Sequence, residues 1–122
     1  MEHKTVAAGV LETAYQEYGA EDGWPCIMVH GFPYDVQAYA ESATILAEAG
    51  ARVIVPHMRG YGPTRFRSEK TMRSGEQAAF GNDLLCLMDA LGFEKAVVGG
   101  YDWGGRAACV VSALWPDRVT AL

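Results

Sequence analysis

Asp102 lies in the turn Gly100-Tyr101-Asp102-Trp103-Gly104, after the apolar run Ala96-Val97-Val98 and before a helix-forming stretch. This is the strand–turn–helix frame G-x-S-x-G, which presents a nucleophile on a tight elbow, with Asp where serine would stand. Gly100 and Gly104 let the chain turn sharply and let strand and helix pack closely, and Gly105 relaxes the crowding further. The change of residue changes the chemistry. A serine hydroxyl must first lose a proton, whereas a carboxylate is already ionised at neutral pH, helped by the amides of the following helix N-terminus. Such a group displaces a leaving group at carbon, an epoxide oxygen or a halide, and forms an ester. Water then hydrolyses that ester, and this second step needs a base.

Taken alone, the turn has two blander readings. Asp before a helix is a common N-cap, and glycine-rich strand–helix turns bind phosphate. Residues 100–107 fall close to a P-loop, with Arg106 at the lysine position and Ala107 at the hydroxyl position. Loss of the Mg-binding hydroxyl, and an Asp inside the cradle, argue against nucleotide binding. No other motif calls for a cofactor, and no spacing calls for a metal. Cys26, Cys86 and Cys109 are odd in number and widely spaced, so they read as small buried hydrophobes in a reducing, cytoplasmic setting.

The elements that must hold Asp102 follow from periodicity. Residues 5–8 and 11–18 read as two antiparallel strands around Gly9-Val10. Leu11, Thr13 and Tyr15 face one side of the second strand, Glu12 and Gln16 the other. Cys26-Ile27-Met28-Val29, Val53-Ile54-Val55 and Ala96-Val97-Val98 are short apolar runs expected as strands buried on both faces. Helices are predicted over 36–49, stopped by Gly50, and over 103–115, stopped by Pro116. A third opens with the capping-box pair Ser74 and Gln77, carries Phe80, Leu84, Leu87, Met88 and Leu91 on its apolar stripe, and ends at Gly92. Residues 64–73 read as an exposed loop, with Arg65 and Arg67 on its solvated face, and 119–122 begin another strand. Alternating strands and helices imply an α/β fold, a mostly parallel sheet with helices on both faces and an antiparallel N-terminal hairpin.

Composition bounds the partners. The 122 residues, half of them hydrophobic, suit a single domain with one core. A net charge of -5 without blocks of like charge argues against a nucleic-acid or anionic-membrane surface. No stretch approaches the roughly 20 apolar residues that span a bilayer, and the start lacks a signal-peptide pattern.

Three segments now bear on the turn together: His30-Gly31-Phe32-Pro33, Arg59-Gly60-Tyr61-Gly62 and Val98-Gly99-Gly100-Tyr101-Asp102-Trp103-Gly104-Gly105. In order and spacing they resemble the epoxide hydrolase branch of the α/β-hydrolase fold, over nearly the whole chain. The resemblance implies that Asp102 is the nucleophile, that the N–H groups of Phe32 and Trp103 form the oxyanion hole, and that Phe32-Pro33 is a cis peptide. His30, Gly31, Pro33, Gly100 and Gly104 would shape the site, and Tyr34, Tyr101 and Trp103 would meet a small uncharged organic substrate, an epoxide or an alkyl halide. Tyr101 also reads as a wall behind the elbow, and Arg59 as a tie from its loop to neighbouring carbonyls.

Two departures matter. His57 stands where the family usually has Asp, which suits a loop anchor better than a base. Haloalkane dehalogenases share Asp-Trp but usually have a polar residue after His-Gly, where this chain has Phe32; fluoroacetate dehalogenases commonly have Arg after the nucleophile, where this chain has Trp103. The epoxide reading leads, with a dehalogenase or a non-catalytic remnant as alternatives. The resemblance further implies a catalytic His, a supporting acid and a lid that residues 1–122 do not hold, so the expectation is a truncated core domain without turnover. An exposed sheet edge after Val119 is then expected to favour self-association.

Overall fold

The computed structural model describes residues 3–31, 39–59, 61, 63–68 and 77–122. Strands β1 (Lys4–Ala8) and β2 (Leu11–Tyr18) form the antiparallel hairpin, which turns at Gly9 with a φ of 59°. Strands β3 (Trp24–Val29), β4 (Ala51–Pro56), β6 (Ala96–Gly100) and β7 (Val119–Ala121) are mutually parallel. The sheet order is β1-β2-β4-β3-β6-β7, and a short β5 (Arg65–Phe66) pairs with β2. Helices α1 (Ala40–Glu48), α2 (Gln77–Ala90) and α3 (Trp103–Leu114) fill the crossovers.

The period-2 alternation of the central strands divides the core into two layers. Ile27, Ile54 and Val98 face Leu84, Leu87 and Met88 of α2 and Ala108 and Val111 of α3. Cys26, Val53 and Val55 point the other way, onto Ala43 of α1 and Tyr39 before it. Helices therefore cover both faces, which is why these strands tolerate continuous apolar runs. Gly92 stops α2 as expected: at φ 76° it lets the Gly92 N–H reach the Asp89 carbonyl and the Phe93 N–H reach the Met88 carbonyl.

Gln16, on the opposite side of β2 from Leu11, Thr13 and Tyr15, is buried, and its Oε1 accepts a 3.1 Å bond from the Tyr18 hydroxyl. One expectation needs correction. The polar stretch after Pro63 does not begin as an exposed loop. Thr64 is buried, with its hydroxyl accepting from the Ala14 N–H and donating to the His57 carbonyl, and Arg65–Phe66 then pair with β2. A threonine that satisfies two backbone groups is buried at little cost. Ser74 and the first residues of the helix expected at 36 lie outside the described residues.

Candidate active site

The elbow is built where β6 meets α3. Asp102 has φ 52° and ψ -124°, and among the described residues it is the one non-glycine with positive φ. Such backbone is disfavoured by roughly 1–3 kcal/mol for an L-residue and concentrates at functional sites. Asp102 is exposed, and its side chain makes no capping hydrogen bond to α3, so the plain N-cap reading has no support. Its carbonyl accepts the Arg106 N–H at 3.0 Å, which starts the helix directly behind it.

Close approach explains the flanking glycines. A β-carbon on Gly104 would run into the carbonyl oxygens of Val29 and His30 at the end of β3. A β-carbon on Gly100 would meet the Gly104 carbonyl, whereas one on Gly105 would reach the Gly100 oxygen only at an ordinary 3.4 Å. The crowding that Gly105 was expected to relieve thus falls on Gly100 and Gly104.

His30 is fully buried beside the elbow. Its Nε2 accepts the Met58 N–H at 3.1 Å, which puts the ring proton on Nδ1, 3.3 Å from the Gly31 carbonyl. The Tyr61 ring meets the imidazole edge-on, with centroids 4.7 Å apart. Burial, and then the charge of Asp102, push the Tyr61 phenol up from its ordinary value, so that side chain shares the elbow's field. Tyr39, buried ahead of α1, donates to the Val29 carbonyl at 2.8 Å, and its ring lies 5.7 Å from that of Tyr101. The Trp103 ring packs between Phe80, 5.5 Å away, and the Arg106 guanidinium at 4.7 Å. Phe32, Pro33 and Tyr34 lie outside the described residues. Among the described residues no group of three or more His, Cys, Asp or Glu is placed to hold a metal.

The family model for the alpha/beta hydrolase fold matches residues 25–122, a span that includes this elbow. The chain belongs to the α/β-hydrolase fold family. An epoxide hydrolase of Caballeronia sordidicola is 32% identical over 117 residues, 96% of this chain and 34% of that relative. A Klebsiella pneumoniae protein assigned to the epoxide hydrolases has a solved structure that superposes with a TM-score of 0.95 at 49% identity, over 97% of this chain and 39% of the other. A potato epoxide hydrolase mutant superposes at 0.81 with 30% identity, over 97% and 37%. This α/β-hydrolase chain is epoxide hydrolase-like and spans between a third and two-fifths of these relatives' lengths.

Arg59 of the Arg-Gly-Tyr-Gly turn pairs with the Asp83 carboxylate of α2, a residue that sequence reasoning passed over. A lone Asp on an otherwise apolar helix face, at the i+3 position from Phe80, was the available signal. Cys26 is buried and Cys86 half-buried, but Cys109 is exposed, because α3 turns it outward into an open depression of about 540 Å³ bordered by Tyr101, Asp102 and Arg106. His57 is fixed through its backbone, its N–H donating to Ala14 and its carbonyl accepting from Thr64. Among the described residues no helix is long and apolar enough to cross a membrane.

Proposed function

We propose that Asp102 is the nucleophile of an epoxide-hydrolysing site. The observation that carries this reading is the positive φ of an exposed aspartate at the strand–helix elbow. A carboxylate oxygen attacks an epoxide carbon, the ring C–O bond breaks, and the released alkoxide takes up a proton. The result is a hydroxyalkyl ester of Asp102. Water then adds to the ester carbonyl, with its proton passing to a base. The N–H groups of Trp103 and Phe32 stabilise the resulting oxyanion, which collapses to the diol and the free carboxylate.

His30 is not that base, because its Nε2 lone pair is engaged by the Met58 N–H. On this reading residues 1–122 are the nucleophile-bearing part of a larger catalytic domain, whose lid and base lie outside them. Its substrates are small uncharged epoxides, in a reducing cytoplasm that suits three free cysteines. The edge strand β7 is a further place for self-association.

The test is incubation with styrene oxide followed by intact-mass spectrometry and peptide mapping, in a Cys109→Ser background that removes the exposed thiol. A persistent single adduct on Asp102, absent from Asp102→Asn, is expected. An unmodified Asp102 overturns the nucleophile assignment, and sustained diol formation overturns the claim that these residues stop at the ester.

A further inference from the structure

Arg59 and Asp83 meet as a fork. Nε donates to Oδ2 and Nη2 to Oδ1, both at 2.6 Å, and the two side chains are only 8% and 14% exposed. Burying an ion pair is a weak route to stability, since a well-packed apolar pair of the same volume does as well or better. What the fork adds is direction, because a planar guanidinium on a carboxylate fixes both distance and orientation.

The contacts of this fork run toward the elbow. The Arg59 guanidinium lies over the rings of Phe66 and Phe80, at 5.2 and 6.0 Å. Phe80, one turn ahead of Asp83 on α2, packs against the Trp103 ring. Trp103 directly follows Asp102 and opens α3. From its other end Arg59 leads within two residues to Tyr61, which rests edge-on against His30. One buried pair therefore touches the helix behind the elbow, through Phe80 and Trp103, and the loop beside it, through Tyr61 and His30.

We infer that Arg59 and Asp83 are positioning residues: their fork sets where Trp103 and the first turn of α3 sit relative to Asp102. The functional half of this inference rests on Asp102 being the nucleophile; the geometric half does not. A cavity of about 30 Å³ bordered by Thr13, His57, Arg59, Phe80 and Asp83 leaves room for an apolar replacement to settle.

The experiment uses the whole chain and the double variant Arg59→Met/Asp83→Leu. A purely structural pair predicts that apolar replacement restores everything. A positioning pair predicts a thermal midpoint close to wild type, loss of the nuclear Overhauser contacts between the Phe80 and Trp103 rings, and Asp102 alkylation by styrene oxide slowed about tenfold or more. Wild-type ring contacts together with the wild-type alkylation rate overturn the inference. Should the double variant fail to fold, Asp83→Asn, which keeps the shape and removes the charge, goes through the same two measurements, and the same outcomes support or overturn the inference. If wild-type protein forms no adduct at all, the nucleophile assignment fails, and the Phe80–Trp103 contacts alone decide whether the pair positions the elbow.

Discussion

Gly31 lies so close to Asp102 that a β-carbon on Gly31 would stand 2.8 Å from Asp102 Cβ and equally near the Tyr101 carbonyl oxygen. The loop after β3 and the elbow after β6 therefore meet at a contact that only a hydrogen at position 31 permits. β3 and β6 are neighbours in the sheet, paired through Val29 and Gly100, so strand register brings the two loops to the same edge. The contact and the positive φ together restrict the backbone and Cβ of Asp102.

The two adjacent helix glycines should respond oppositely to alanine. Gly104→Ala forces a methyl into the Val29 and His30 carbonyls and is expected to destabilise by about 1–3 kcal/mol or more. Gly105→Ala meets only an ordinary contact and gains helix propensity, so it is expected to be neutral or to stabilise by up to about 1 kcal/mol. Urea denaturation of the two variants measures this, and equal effects would contradict the packing described at the elbow.

Asp102→Gly should make the chain more stable while removing the proposed nucleophile. Glycine adopts φ 52°, ψ -124° without the steric cost borne by Asp, so a gain of about 1 kcal/mol is expected. The thermal midpoint would then rise by about 4 °C or more, while the styrene oxide adduct disappears. A lower midpoint would show that the backbone there is not strained.

The elbow was legible because its cause is local. A strand, a tight turn and a helix leave marks within a few residues, as Gly100, Asp102 and Gly104 do. β2 was read with its observed bounds for the same reason, from alternation that starts at Leu11. What sequence alone misjudged depends on neighbours distant in the chain. Arg59 finds Asp83 across 24 positions, and Thr64 is buried because Ala14, 50 positions away, offers its N–H. Cys109 reads as apolar in a helix of apolar residues, and only the placement of α3 on the sheet turns it outward.

Alkaline stability should carry the signature of Cys26. Burial pushes its thiol from 9.0 up to about 11. Below pH 9 the thiol is neutral in both folded and unfolded chains and costs nothing. Between pH 9 and 11 the unfolded chain releases the proton and the folded one does not, so stability falls as pH rises, by up to about 2–3 kcal/mol. Cys26→Ala should flatten urea midpoints over that window. Tyr39, pushed by burial and then by Tyr101 from 10.0 up to about 12, adds a loss that begins later. An unchanged slope in Cys26→Ala would mean that the thiol is solvated.

Tyr61 offers a reporter of the charge on Asp102 that needs no substrate. Its phenol is held above the ordinary range first by burial and then by the neighbouring carboxylate, which disfavours a second negative charge nearby. Asp102→Asn removes the second cause and leaves the first. Tyr61 should then ionise at lower pH than in the wild type, yet still above an exposed tyrosine. An ultraviolet difference titration isolates the signal from the chain's five other tyrosines when each protein is compared with its Tyr61→Phe counterpart. The direction decides the matter. A downward move means that the Asp102 carboxylate acts on the phenol across the elbow, as the raised Tyr61 value implies. No move means that the two groups do not share a field, and Tyr61 is then only packing for His30.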